Sequence, residues 1–142
     1  MKNNHYTTIE DMLRVEGQAI IAPVGESMLP FLKEGRDLVH LELCDSPPRK
    51  YDIVLYRSIS GDLVLHRIIR INGSDYIICG DNSSIWERGY SSDDIIAVVD
   101  KIIRNGKHID CHCFRNKIYE RVWCGSFIKR VIFKLKRILF RY

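Results

Sequence analysis

Short runs rich in Val, Ile and Leu, separated by turn residues, dominate the middle of the chain. Such runs are typical of β-strands, because branched side chains pack well on a pleated surface. The turns Ser60-Gly61-Asp62 and Asn72-Gly73-Ser74 separate neighbouring runs so closely that they predict hairpins. The pattern therefore predicts a mainly β, antiparallel fold, a coiled sheet or a partial barrel. We expect strands over residues 38–43, 52–57, 63–71, 75–79 and 95–103.

Helical patterns flank this β-rich body on both sides. Thr7-Thr8-Ile9-Glu10 has the form of a capping box, which predicts a helix of about two turns before Gly17. From Lys117 to Tyr142, apolar residues recur at three- and four-residue steps with basic residues between them. This pattern predicts a basic amphipathic helix, broken or weakened near Gly125-Ser126. We therefore divide the chain into an N-terminal helical segment (1–18), a β-rich domain (19–110) and a basic C-terminal segment (111–142).

The composition is that of one folded domain. The chain has 142 residues, of which 46% are hydrophobic and 28% charged, which excludes disordered and collagen-like proteins. The longest stretch without a charged residue, from Gly17 to Gly25, is far shorter than the ~20 apolar residues that span a bilayer. The N-terminal residues do not have the pattern of a secretory signal. The five cysteines are irregularly spaced and predict no disulfide framework. We expect a cytoplasmic protein, at most peripheral at the inner membrane face.

Charge is distributed unevenly along the chain. Residues 114–142 hold nine Lys and Arg against Glu120 alone, which gives this end a charge near +8, whereas residues 1–113 are near −4. Such a split suggests that one end meets an anionic partner. We expect an anionic membrane surface or a membrane transporter, and no specific nucleic acid, because no DNA-reading domain is recognisable. The alternative is a helix that closes the core and leaves its basic face in solvent.

A serine and a histidine occupy positions that suit nucleophilic catalysis. Ser27 lies in a glycine-containing turn between an apolar run and Pro30, and His66 lies in the middle of an apolar strand. A serine hydroxyl needs a neighbouring base to attack a carbonyl, and imidazole titrates near neutral pH. The alternatives are a loop serine and a half-buried strand histidine, each bonded to the backbone.

Two acidic residues follow the next strand. Asp81 and Glu87 lie in a polar loop, and either carboxylate could accept a hydrogen bond from the histidine and so set its tautomer. Alternatively, Asp81 bonds to the backbone of its own turn, and Glu87 pairs with Arg88 in solvent. The acid remains open between the two at this point.

Several motifs, in order along the chain, resemble those of the signal peptidase I and LexA-like serine peptidases. The serine signature is Gly25-Glu26-Ser27-Met28-Leu29-Pro30, and the following strand motif is Tyr51-Asp52-Ile53-Val54. The histidine motif is His66-Arg67-Ile68, and the last motif is Gly80-Asp81-Asn82. Together they are most similar to the endoplasmic-reticulum and archaeal type of signal peptidase, and they cover about residues 19–104.

The resemblance implies a serine endopeptidase with the LexA and signal peptidase fold, in which residues 19–110 form the catalytic domain. Ser27 would be the nucleophile, and His66 would be the base where bacterial leader peptidases have a lysine. Matching the loop after the last motif places the acid on Glu87, where the family has aspartate, with Asp81 as the other candidate. The motif residues Arg67, Gly80 and Asn82 would hold the structure of the site.

The resemblance also implies a substrate class. The enzyme would cleave an extended peptide or leader after small side chains, with Gly25, Met28 and Pro30 beside the substrate. Because the residue two before the serine is Gly25, the tetrahedral oxygen would be stabilised mainly by backbone N–H groups such as that of Ser27. Family members usually have an N-terminal membrane anchor that we do not find here, so we expect leader trimming rather than export-signal cleavage.

The alternative function is a catalytically inactive peptide- or partner-binding module of the same fold. We expect no cofactor, because no phosphate loop or helical zinc motif occurs in the sequence. Four residues of zinc-ligand type stand close together, but their spacing fits no common zinc site. These residues are His108, Cys111, His112 and Cys113. We therefore expect no metal.

Overall fold

The computed structural model describes residues 6–124 and 127–140. Within these ranges, eight strands form one antiparallel sheet, flanked by a short N-terminal helix and a helical C-terminal segment. The mainly β fold predicted from the sequence is confirmed. In chain order, the elements are α1 (Ile9–Glu16), β1 (Gln18–Ile21), β2 (Asp37–Leu43), β3 (Ile53–Arg57), β4 (Leu63–Asn72), β5 (Asp75–Cys79), β6 (Glu87–Tyr90), β7 (Ile95–Arg104), β8 (Lys107–Asp110), α2 (Phe114–Tyr119) and α3 (Phe127–Leu139).

The N-terminal helix α1 begins and ends at residues suited to those positions. The Thr8 side chain accepts the backbone N–H of Asp11 at 3.0 Å, and Gly17 ends the helix in the left-handed conformation at φ 73°. Leu13 is fully buried against the sheet. The predicted short helix is confirmed. Its cap is Thr8, which bonds to Asp11, one residue after the Glu10 of the predicted capping box.

Strand β7 pairs with three other strands of the sheet. The strand order is β1-β2-β7-β3-β4-β5-β6, and β8 also pairs with β7. Strand β2 pairs along nearly all of β7, so β3 and β8 share the other edge, β3 along its first half and β8 along its second. The sheet is not closed. The five predicted strands are present with their ends within one residue, and β1 is the apolar run that precedes the Ser27 turn. Strands β6 and β8 are ones that the sequence pattern did not predict.

Both faces of the central strands are buried. In β3, Ile53 and Leu55 belong to one hydrophobic cluster, whereas Val54 and Tyr56 belong to another on the opposite face. The first cluster includes Met28 from the segment after β1. This burial fixes the strand register, and through it the positions of the polar side chains that β3 and β4 carry.

The C-terminal segment, for which the sequence pattern predicted a broken or weakened helix, is divided into pieces. Helix α2 is followed by a π-helical turn over Glu120–Cys124 and then by α3. The expected weak point, Gly125-Ser126, and the last two residues of the predicted helix lie outside the described residues. None of the described helices is long and apolar enough to cross a membrane.

Candidate active site

The loop that carries Ser27 connects β1 to β2 and packs on the first hydrophobic cluster. Ser27 itself is exposed, whereas the next side chain, Met28, is buried. Gly25 has a φ of 87°, a conformation that favours glycine, and its N–H donates to Glu34 Oε2 at 2.7 Å. The loop therefore presents the serine hydroxyl at the surface while its neighbours anchor the backbone.

The motif that ends β5 holds this serine loop in place. The backbone N–H of Asn82 donates to the carbonyl oxygen of Ser27 at 2.8 Å, and its side-chain amide donates to the carbonyl oxygen of Glu26 at 3.1 Å. A Cβ atom added to Gly80 would lie 2.7 Å from the Ser27 carbonyl oxygen and 3.1 Å from His66 Nε2. Glycine at position 80 thus allows the three motifs to meet.

Replacing Gly80 by alanine is expected to destabilise the fold by about 1–3 kcal/mol, because the new methyl group overlaps a backbone oxygen. The expected result is a lower free energy of unfolding in a urea titration. Ser74→Ala, in the exposed turn at the other end of β5, is the control and should change stability little. Equal stability of Gly80→Ala and wild type would show that the loops do not pack as described.

His66 lies on β4 opposite Val54 of β3, on the face that also carries Tyr56. The Tyr56 hydroxyl oxygen is 3.1 Å from His66 Nδ1, and the Tyr56 hydroxyl donates to Glu87 Oε2. Glu87 Oε2 is also 3.6 Å from His66 Nδ1. Histidine, tyrosine and glutamate thus form a connected group on one face of the sheet.

This arrangement assigns the tautomer of His66. A phenol has one proton, and Tyr56 donates that proton to Glu87, so its oxygen accepts from the N–H on Nδ1 of His66. The lone pair of the imidazole is then on Nε2. Nε2 is the nitrogen that faces Gly80 and the backbone of Ser27. His66 therefore directs its basic nitrogen toward the serine loop.

The titration properties agree with a neutral histidine. Burial lowers the pKa of His66 below its ordinary value of 6.5, although the Glu87 carboxylate opposes this effect. The Asp81 charge also raises this pKa, whereas the Lys129 ammonium lowers it. Burial raises the pKa of Tyr56 far above its usual range, and the hydrogen bond to Glu87 raises it further. At neutral pH, His66 is thus unprotonated on Nε2, and Tyr56 keeps its proton.

Asp81 has a different set of partners. Its carboxylate binds Arg67 through two hydrogen bonds of 2.9 Å, and both side chains are about 1% exposed. The Tyr119 hydroxyl donates to the same carboxylate at 3.0 Å, and the indole N–H of Trp123 donates to the Asp81 carbonyl oxygen at 2.9 Å. Of the two acids considered from the sequence, the structure places Glu87 beside His66 and Asp81 in an ion pair beneath the loop.

The Ser27 carbonyl oxygen and His66 Nε2 both lie next to Gly80. In the described part of the chain, no hydrogen bond joins the Ser27 hydroxyl to the imidazole. Among the described residues, the backbone N–H of Ser27 likewise has no hydrogen-bond partner. Hydrogen bonds between catalytic groups are often long before substrate binds. An exposed N–H at this position is available to an incoming oxygen atom.

An apolar cavity of about 360 Å³ opens beside Ser27. Gly25 and Met28, two of the residues expected to contact substrate, line this cavity. The third, Pro30, lines a separate cavity with Phe31 and residues of α2. The other lining residues come from α1, the end of β1, the loop that carries Ser27, β3 and β4: Ile9, Ile21, Ala22, Pro23, Val24, Leu32, Leu55, Leu63, Val64 and Leu65.

The cysteines and histidines near β8 do not gather around one point. Cys111 is buried in the first hydrophobic cluster. Among the described residues, three possible metal ligands converge elsewhere, where ligand atoms of His40, Glu42 and Asp100 lie within 4.8 Å of one another. His40 Nδ1 is 2.5 Å from Asp100 Oδ1, so a direct hydrogen bond accounts for the approach of these two side chains.

Comparisons with protein-family models, curated proteins and solved structures found no match to this chain.

Two residues of this region were missed by the sequence analysis. Tyr56 looked like one more apolar strand residue, and only the pairing of β3 with β4 shows that it bridges His66 and Glu87. Lys129 belonged to the basic side of the C-terminal pattern, yet it is buried, and its ammonium group donates to the Gly80 carbonyl oxygen at 2.9 Å. No local sequence signal distinguishes these residues from their neighbours.

Proposed function

We propose that the protein is a serine endopeptidase in which Ser27 is the nucleophile and His66 the general base. The observation that carries this proposal is the orientation of His66. Tyr56 and Glu87 occupy its Nδ1 side, so the basic Nε2 faces the loop that presents Ser27. A neutral imidazole with its basic nitrogen on the side of the serine loop is the arrangement that a serine nucleophile needs.

The steps follow from this geometry. As the Ser27 oxygen attacks the carbonyl carbon of a peptide bond, its proton passes to Nε2 of His66. The Glu87 carboxylate, 3.6 Å from Nδ1, stabilises the imidazolium that forms. The N–H of Ser27 donates to the carbonyl oxygen as negative charge develops there. His66 then gives its proton to the leaving amine, and water, activated by the same nitrogen, hydrolyses the acyl-enzyme.

The apolar cavity supports a peptide substrate with small apolar side chains near the cut. It lies beside Ser27 and is lined mainly by apolar side chains from α1, the loop that carries Ser27, β3 and β4. Such a lining suits the side chains of an extended peptide. We place the activity in the cytosol or at the membrane face, where the enzyme trims the leader of a small peptide. The basic C-terminal segment would contact an anionic membrane or a membrane transporter.

The proposed function is tested with a diverse peptide library incubated with wild-type protein and with Ser27→Ala in parallel. Mass spectrometry should show cuts after small residues with the wild type alone. Cuts of equal rate in both samples would reject Ser27 as the nucleophile. Intact peptides together with measurable peptide binding would select the catalytically inactive binding module, which the missing hydrogen bond between Ser27 and His66 favours as the second candidate.

The pH dependence of cleavage provides an independent prediction. Because burial lowers the pKa of His66, kcat/KM is expected to rise with pH along an acid limb whose midpoint lies below 6.5. The Glu87 carboxylate raises this pKa, so Glu87→Gln is expected to move the limb to lower pH.

The control for this prediction is Glu42→Gln, the same substitution at an exposed position of β2. It should leave the midpoint unchanged. A limb that stays in place or moves to higher pH in Glu87→Gln would contradict the assignment of Glu87 as the acid beside His66.

A further inference from the structure

A second cavity lies on the side of the Gly80 loop that faces the C-terminal helix. It has a volume of about 410 Å³ and opens between β4, the segment before β6, and α3. Ser83, Ser84 and Trp86 form the wall next to β6. The remaining lining residues are Lys50, Tyr51, Ile69, Arg70, Cys124, Lys129, Arg130 and Phe133.

The lining of this cavity is strongly basic. Lys50, Arg70, Lys129 and Arg130 contribute four positive charges, and no described Asp or Glu lines it. Within the described ranges, none of the four side chains forms an ion pair. Like charges this close repel one another, so the arrangement is stabilised when an anion enters.

Trp86 and the Gly80 loop hold several of these cations in place. The Arg130 guanidinium lies 4.7 Å from the centre of the Trp86 ring, and the Arg70 guanidinium lies 5.5 Å from it. Lys129 is only 7% exposed, and its Nζ donates to the Gly80 carbonyl oxygen at 2.9 Å. Fixed cations lose little conformational entropy when they bind an anion, so the cavity is preorganised.

We propose that this basic cavity binds a phosphate group. Four cations exceed what one carboxylate needs, whereas a phosphate offers several oxygens to guanidinium and ammonium donors, and to the hydroxyls of Ser83 and Ser84. The phosphate has two possible sources, a phospholipid headgroup or a free phosphate. Exposed apolar side chains of α3 and the residue after it favour the headgroup, because they give this helix an apolar surface that a lipid layer would cover. These are Phe127, Ile128, Leu135, Ile138, Leu139 and Phe140, each more than half exposed.

This inference deepens the membrane contact in the proposed function, and its test needs no catalytic activity. Wild-type protein is compared with the cavity pair Arg70→Gln/Arg130→Gln. The control pair is Lys134→Gln/Arg137→Gln, which removes the same charge from exposed positions of α3 outside the cavity. All four side chains are exposed, so both variants should fold, and thermal unfolding checks that they do.

Two binding measurements distinguish the sources of the phosphate. Flotation measures partition onto vesicles of phosphatidylcholine with and without phosphatidylglycerol, and isothermal titration calorimetry measures binding of inorganic phosphate. Diffuse attraction to an anionic surface, about 1 kcal/mol per basic residue, would weaken partition of both variants equally. A headgroup in the cavity should instead give the cavity pair a loss at least about tenfold larger than that of the control pair.

Each outcome decides the matter. A specific loss of partition onto phosphatidylglycerol vesicles by the cavity pair supports a phospholipid headgroup. Binding of inorganic phosphate that the cavity pair loses and the control pair keeps, with equal vesicle losses, supports the cavity with free phosphate as its ligand. Equal vesicle losses together with no phosphate binding would overturn the proposal. None of these measurements depends on peptide cleavage. If the cavity binds no phosphate, the proposed peptidase activity is unaffected, and if no peptide is cleaved, the proposed phosphate site is unaffected.

Discussion

Ser27→Ala is expected to lower kcat/KM for peptide cleavage by about 10⁴-fold or more, because no other group can form the acyl-enzyme. His66→Ala is expected to have an effect of similar size. Since the two residues act as a unit, the double variant should be no slower than either single variant. The measurement is the initial rate of cleavage of the best library peptide, followed by mass spectrometry.

Ser60→Ala is the control for this series. Ser60 is exposed in the turn between β3 and β4, so its replacement should leave the rate unchanged. If the effects of Ser27→Ala and His66→Ala multiplied in the double variant, the two residues would act independently. That outcome would reject proton transfer from Ser27 to His66.

Removing one partner of the Arg67–Asp81 ion pair is expected to cost about 3–5 kcal/mol of folding free energy. Both side chains are about 1% exposed and share two hydrogen bonds. Arg67→Met would leave the Asp81 carboxylate buried without its cation. Asp81→Asn would leave the guanidinium with only the longer ion pair to Glu120 Oε1 at 3.4 Å. The measurement is the free energy of unfolding from urea titrations.

The double variant and an exposed ion pair provide the comparison. Arg67→Met/Asp81→Asn should lose less stability than the sum of the single variants, because neither side chain is then a lone buried charge. Arg57 pairs with Glu10 at 2.6 Å near the surface, with about half of the Arg57 side chain exposed. Arg57→Met should cost less than about 1 kcal/mol. Equal losses for Arg67→Met and Arg57→Met would show that the buried pair contributes no more than an exposed one.

The position of this ion pair explains why it matters for the site. Arg67 follows His66 on β4, and Asp81 lies between Gly80 and Asn82, the residues that contact the Ser27 loop. The Arg67 guanidinium also packs 4.7 Å from the centre of the Phe31 ring, beyond the serine turn. One buried pair therefore joins the strand that carries His66 to the segment that holds the Ser27 loop.

The C-terminal segment contributes to the same centre. The sequence left open whether the basic segment over residues 111–142 docks on a partner or closes the core. In the structure, Tyr119 and Trp123 form hydrogen bonds with Asp81. Phe31 and Tyr119 stack with ring centres 5.1 Å apart. The interaction of this segment with the β domain depends on a few aromatic residues. The charge and the apolar periodicity of the segment do not single these residues out.

Prediction from the sequence succeeded where a pattern depends on near neighbours along the chain. The five long strands and the short first helix follow from alternation of apolar residues, turn residues and caps, which act within a few residues. The strands that were missed, β6 and β8, have only four residues each. Strand β6 also contains Glu87, Arg88 and Gly89, which individually disfavour a strand prediction.

The sequence by itself determined the fold class and the residues able to do chemistry, because side-chain type and local pattern carry that information. Only the tertiary structure decided how those residues meet. The register of β3 against β4 brings Tyr56 to His66, and the pairing of β5 with β6 helps to bring in Glu87, 21 positions along the chain from His66. Burial then paired Asp81 with Arg67, since a carboxylate enclosed in the protein needs a cation beside it. Such choices depend on strand register and packing between distant segments, which no local pattern contains.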